Sequence, residues 1–166
     1  MAKEKTLSDL FYETLRDIYY AERKIVKALP KMARAANSDD LKQAFEHHKD
    51  ETEGHVERLQ KVFDIFGKRA QGKTCEAIEG IISEAEEIMD SYKGSAALDA
   101  GLIASAQAVE HYEITRYGTL KQWAEQLGLK DAARLLDETL KEESKADEKL
   151  TKVAQSAANV KAKKAA

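Results

Sequence analysis

The sequence predicts an all-α fold, a four-helix bundle whose long crossover carries a short fifth helix. Three observations point to it. Among 166 residues there are one proline and eight glycines, against 43% hydrophobic and 34% charged residues, which leaves few turn formers for a sheet. Apolar side chains recur every three or four positions over long stretches, the spacing of one helical face. The first half of the chain also repeats in the second. The length suits one domain with a full core, assigned to residues 1–158 with a flexible Lys/Ala-rich tail at 159–166.

The first helix is expected from about Thr6 to Ala36, with Thr6 or Ser8-Asp9 at its cap. Phe11, Leu15, Ile18, Ile25, Leu29 and Met32 trace its seam, and Glu22 falls on that seam between Ile18 and Ile25. Pro30 removes one backbone donor and predicts a local irregularity rather than a stop. Asn37-Ser38-Asp39 forms a turn, and the second helix runs from about Asp39 to Phe66, before Gly67. Residues 68–73 read as a loop. A shorter amphipathic helix is expected at 74–92 with Thr74 as its cap, ended by Gly94-Ser95. Two further long helices follow, from about Ala96 to Leu127 and from about Lys130 to Ala158. The rest of the tail shows no apolar face and reads as frayed.

Shifted by 91 positions, the first helical hairpin lies on the second without a gap. Glu22 meets Glu113, Leu29 meets Leu120, Glu51 meets Glu142 and Leu59 meets Leu150, while the seam residues Phe11, Ile18 and Phe45 meet Leu102, Val109 and Leu136. Two hairpins related by a pseudo-twofold axis and joined by a long connection make a four-helix bundle.

The functional clue sits in the second helix. Its seam runs from Phe45 to Leu59, yet the intervening inward positions hold His48, Thr52 and His55, with Glu51 beside them. Buried imidazole and carboxylate cost several kcal/mol unless they are paired or hold a metal. The repeat brings Glu22, Glu51, Glu113 and Glu142 to one level, with Glu110 a turn before Glu113. The last helix adds Glu143, and Asp147 four residues beyond it. Inward carboxylates cannot all ionise in an apolar core without cations between them, and iron or manganese suits carboxylate with imidazole. A dinuclear site is expected, with Glu51 and Glu142 bridging, Glu22 and Glu113 terminal, and His48 or His55 completing one shell. Tyr19, the repeat mate of Glu110, offers a tyrosine hydroxyl to the site, whereas His47 and His111 read as outward.

Other classes are disfavoured. A net charge of −3 gives no reason to expect nucleic acid. No apolar run approaches the roughly 20 residues of a membrane span, and the N-terminal residues Met1 to Thr6 lack the apolar core of a signal peptide. The lone Cys75 suits a reducing, cytoplasmic setting. Neither a phosphate-binding glycine loop, a Ser-His-Asp arrangement nor a Cys-x-x-Cys pair is present.

Several segments carry a family resemblance: Leu-Arg-Asp-Ile-Tyr-Tyr-Ala-Glu-Arg-Lys at 15–24, Lys-Ala-Leu-Pro-Lys-Met-Ala at 27–33 and Asp-Glu-Thr-Glu-Gly-His-Val-Glu-Arg-Leu at 50–59. To these are added Thr-Cys-Glu-Ala-Ile-Glu-Gly-Ile-Ile at 74–82, Val-Glu-His-Tyr-Glu-Ile at 109–114, Tyr-Gly-Thr-Leu at 117–120 and Glu-Thr-Leu-Lys-Glu-Glu-Ser-Lys-Ala-Asp at 138–147. The chain resembles ferritin-like four-helix bundles, and more closely the YciE/YciF family of bacterial stress-associated proteins, over nearly its whole length. The resemblance implies a five-helix ferritin-like fold, a homodimer and an association with stress responses. Tyr12, Ile103 and Ile114 are apolar residues beyond the four seams that can furnish a second face. The chain departs from ferritins in lacking a strict Glu-x-x-His in either hairpin, so an asymmetric, carboxylate-rich site is expected. A stress-associated protein with a dinuclear iron site, reacting with peroxide or dioxygen or sequestering iron, is the leading reading. The alternative is a non-enzymatic helical dimer with a structural or partner-binding role.

Overall fold

The computed structural model describes residues 4–165. The first residues of the expected bundle domain and N-terminal segment, 1–3, and the last residue of the tail, 166, lie outside that range. Four long helices, α1 (Leu7–Ala35), α2 (Asp39–Phe66), α4 (Leu98–Gln126) and α5 (Lys130–Val153), form the bundle, and α3 (Glu76–Ser91) lies on the crossover. No strand occurs among the described residues. α1 packs on α2 and α4 on α5, and the two hairpins close on each other through α1 with α4 and α2 with α5. α3 covers α4 and α1 from outside.

Local chemistry sets the ends. Thr6 and Asp9 form a reciprocal capping box at the start of α1, and the helix continues through Pro30. Ser38 caps α2 through the Leu41 amide, and Gly67 ends it at φ 77°, a left-handed conformation that glycine adopts without a Cβ clash. The α1–α2 turn is also held from the other hairpin. The buried carboxylate of Asp99 accepts from the Asn37 and Ser38 amides at 2.7 and 3.0 Å.

Three boundaries differ from expectation. α3 starts at Glu76 with Cys75 at its N-cap and no side-chain cap, so Thr74 does not cap it. α4 begins at Leu98, behind a turn at Ser95 whose carbonyl accepts from the Leu98 amide. The chain beyond α5 remains helical rather than fraying at 159. A π-helical turn at Ala154–Ala158 leads into α6 (Asn159–Lys164). The wider π turn changes the phase of the helix and sets Ala158 against the core at 5% exposure, which anchors the segment the pattern left without an apolar face.

The core holds Phe11, Leu15, Ile18, Phe45, Leu59, Leu102, Leu120 and Leu136, the residues whose periodicity defined the seams. Ile103 is also buried, at 1% exposure. It belongs to this chain's own core, because α4 is buried on two sides, under α3 as well as within the bundle. No helix among the described residues is long and apolar enough to cross a membrane.

Candidate metal centre

Four helices each deliver polar side chains to one level of the bundle axis. α1 brings Glu22, and α4 brings Glu110, Glu113 and Tyr117, spaced three and four residues apart on one face. α2 brings His48, Thr52 and His55, and α5 brings Thr139, Glu143 and Ala146 at the same spacings. All ten are buried, so the conflict visible in α2 extends to the whole axis.

Their ligand atoms fall into two overlapping groups. Glu22, His55 and Glu143 form one, and His48, Glu110, Glu113 and Glu143 the other, with one atom from each member lying within 4.8 Å of the others in its group. Glu143 belongs to both. His55 Nδ1 stands 2.8 Å from Glu143 Oε1 and 3.4 Å from Glu22 Oε1, and His48 Nε2 stands 2.9 Å from Glu110 Oε1. These nitrogens are nevertheless not aligned for hydrogen bonds. His48 Nε2, His55 Nδ1, Glu22 Oε2, Glu110 Oε2 and both oxygens of Glu113 and Glu143 all lack a hydrogen-bonding partner. Orphaned buried polar atoms are rare in native proteins. Here they converge, and donors of this kind fit a hard or borderline divalent cation.

The electrostatics agree. Burial, reinforced by the charges of Glu143 and Glu22, pushes the Glu113 carboxyl well above its usual range. Burial does the same to Glu143, with Glu110 adding to it. Burial opposes charge on Glu22 as well, but His55 and the hydroxyl of Tyr117 outweigh it and hold that carboxyl below its usual range. Burial likewise opposes protonation of His55, yet the Glu22 charge and the contact with Glu143 raise its pKa to about 10. Glu110 and Glu51 raise His48 well above its usual value in the same way. Without cations, the cluster stores protons where cations fit.

A second layer supports the first. His55 Nε2 lies 2.8 Å from Glu142 Oε2. Arg58 donates to both oxygens of Glu142, at 2.9 and 3.1 Å, and to Thr139 Oγ1 at 2.7 Å. The Tyr117 hydroxyl donates to Glu22. Thr52 Oγ1 donates to the His48 carbonyl at 2.7 Å.

The sequence-derived site is therefore partly displaced. Glu22, His48, His55, Glu110, Glu113 and Glu143 come together on the axis. Glu51 and Glu142, expected to point inward and bridge, are half-buried at the rim, with side chains 27% and 36% exposed. Glu51 there contacts His47 and His48. Asp147 faces away and contacts Gln107 and the exposed His111. The tyrosine that reaches the cluster is Tyr117 rather than Tyr19, whose hydroxyl accepts from Gln60. The axial repeat pair in α2 and α5 is thus Thr52 with Glu143, one residue beyond the identical pair Glu51 and Glu142. α2 keeps Thr-x-x-His (Thr52, His55) and α5 keeps Glu-x-x-Ala (Glu143, Ala146), so each half retains one member of the Glu-x-x-His pair found in carboxylate-bridged bundles.

Four long helices carrying carboxylates and imidazoles to one level of their axis define a ferritin-like helical bundle protein. The chain belongs to the family described as "Domain of unknown function (DUF892)", whose model matches residues 6–163. It is 46% identical to the protein YciF of Escherichia coli (strain K12) over 159 residues, covering 95% of this chain and 96% of that protein. The crystal structure of the E. coli stress protein YciF superposes with a TM-score of 0.87 at 47% identity, over 91% of this chain and 96% of the other. A protein from Xanthomonas campestris pv. campestris, XCC3681, shares the fold at a TM-score of 0.75 and 21% identity, over 96% and 98% of the two chains.

Proposed function

We propose that the chain is a stress-associated protein that holds two divalent iron or manganese ions side by side on the bundle axis. The observation that carries this is the convergence of unpartnered buried atoms from Glu22, His48, His55, Glu110, Glu113 and Glu143. Charge balance supports it. Four ionised carboxylates with two neutral imidazoles match two divalent cations. Glu143 would be shared by both, Glu22 and His55 would hold one ion, and His48, Glu110 and Glu113 would hold the other. When bound, such ions supply electrons to peroxide or dioxygen, which fits the stress association of the relative YciF.

The chain's own residues prepare this chemistry. Glu142 faces Nε2 of His55 and so leaves Nδ1 to face Glu22 and Glu143, a carboxylate–imidazole relation that orients metal-binding histidines. Arg58 fixes Glu142 in turn. Tyr117 orients Glu22 and carries a phenol whose ionisation burial and the nearby Glu22 charge oppose, so it remains a proton donor. Arg58→Leu is expected to weaken metal affinity by roughly 10–100-fold, the usual cost of losing such a support. Equilibrium dialysis against manganese reads this directly.

Elemental analysis of protein purified without chelator tests the reading. About two iron or manganese atoms per chain are expected for a dinuclear site. A chain that stays metal-free after anaerobic addition of ferrous iron would return the protein to the non-enzymatic, structural or partner-binding reading.

A further inference from the structure

A cavity of about 240 Å³ opens between α2 and α5 and ends on the cluster. Gln43, His47 and Lys149 stand exposed at its mouth, Leu29, Ala44, Phe45, Ala106, Ala146 and Leu150 form its walls, and His48 and Glu110 close its inner end. The walls are apolar. The inner end is not, since His48 Nε2 and Glu110 Oε2 are both buried without a hydrogen-bond partner. Ala146 is the repeat mate of His55, so the cavity occupies space where the second half of the bundle lacks an imidazole. With alanine in place of an imidazole there, room remains leading from solvent to the cluster. An apolar cavity of about 150 Å³ suffices for benzene, and this one is larger.

We propose that this cavity is a binding site for a compact apolar molecule of about six carbons with one oxygen-bearing head, an alcohol or alkyl hydroperoxide. The body lies against Phe45, Ala146 and Leu150, and the head reaches His48 and Glu110. An anionic head is disfavoured, because Glu110, Glu113 and Glu143 crowd the inner end. The inference rests on the metal reading for its chemical use, since it makes the substrate of the centre an organic peroxide. The cavity itself depends on the protein alone.

The test is titration of the full-length protein with 1-hexanol, followed by alanine-methyl NMR, in chelator and after loading with diamagnetic zinc. Zinc content is measured on the same samples. Saturable shifts at Ala44, Ala106 and Ala146 are expected, with affinity at least tenfold weaker for 1,6-hexanediol. Ala146→Leu and Ala44→Leu should each weaken hexanol binding about tenfold or more while zinc stoichiometry and helical content hold. Saturable binding in chelator by a chain that takes up no zinc supports the cavity and removes the metal reading. Normal zinc uptake with no saturable hexanol binding, or with binding unchanged in both variants, overturns the cavity inference alone and leaves a path for ions and water.

Discussion

Glu143→Ala is expected to empty both metal positions at once. Its carboxylate belongs to both ligand groups, whereas Glu22 and His55 belong to one, and His48, Glu110 and Glu113 to the other. Loss of an outer support already costs about 10–100-fold in affinity, so loss of a shared direct ligand should cost on the order of 100-fold or more at both positions. Glu110→Ala should leave the Glu22–His55–Glu143 position able to bind one ion. Unfolding is not expected to confuse the result. With its cations absent, Glu143 is a buried, protonated carboxyl whose two oxygens lack hydrogen-bond partners, and removing it relieves that desolvation. The metal-free Glu143→Ala protein should therefore melt at the same or a higher temperature than the metal-free parent, although it gains nothing from added manganese. Isothermal titration with manganese and paired thermal melts separate these outcomes. Equal loss from Glu110→Ala and Glu143→Ala would remove the shared-ligand assignment.

The stabilisation that manganese confers should grow as pH rises. In the metal-free protein the folded-state pKa of His55, about 10, lies above its ordinary 6.5. The stability this contributes is fully present below pH 6.5 and is lost as pH rises through 10. Burial raises the Glu113 and Glu143 carboxyls in the same direction, so their contribution is present in acid and is also lost as pH rises. Cations bind the cluster only as these protons leave, so affinity increases with pH by up to about tenfold per unit for each proton released. A saturating ion at 1,000 times its Kd adds about 4 kcal/mol to stability. Between pH 6 and pH 8 the difference in melting temperature between manganese-loaded and chelated protein should widen, with proton release visible in weakly buffered titrations. A difference that stays flat or narrows across that range contradicts the ligand set.

The fold was largely legible in the sequence because each long helix buries a regular apolar stripe. Phe11, Ile18, Phe45 and Leu102 are core residues in the structure as their spacing implied. The site was legible only to the level of the helical turn. His48, Thr52 and His55 follow from the α2 seam, but on α5 the identical repeat pair Glu51 and Glu142 stands out, whereas the seam pair Thr52 and Glu143 differs in residue type. Adjacent residues on a helix lie about 100° apart, so Glu51 and Glu142 sit at the rim while the next residue, Glu143, reaches the axis. Carrying Thr52 forward instead of Glu51 leads to Glu143. Tyr117 had no comparable signal, since its repeat mate is Val26 and a buried tyrosine on a seam reads as core. The helical tail was hidden because the π turn at Ala154–Ala158 interrupts the periodicity that would reveal it.

The division of Glu-x-x-His between the halves also bears on what either half can do alone. The first hairpin supplies both imidazoles and one axial carboxylate, and the second supplies three axial carboxylates and no axial imidazole. A twofold dimer of the first hairpin would be too poor in negative charge for two divalent ions, and a dimer of the second would carry a large excess. In this chain each half supplies what the other lacks, so the full donor set exists only where the two hairpins close on each other, and neither half can stand in for its twin.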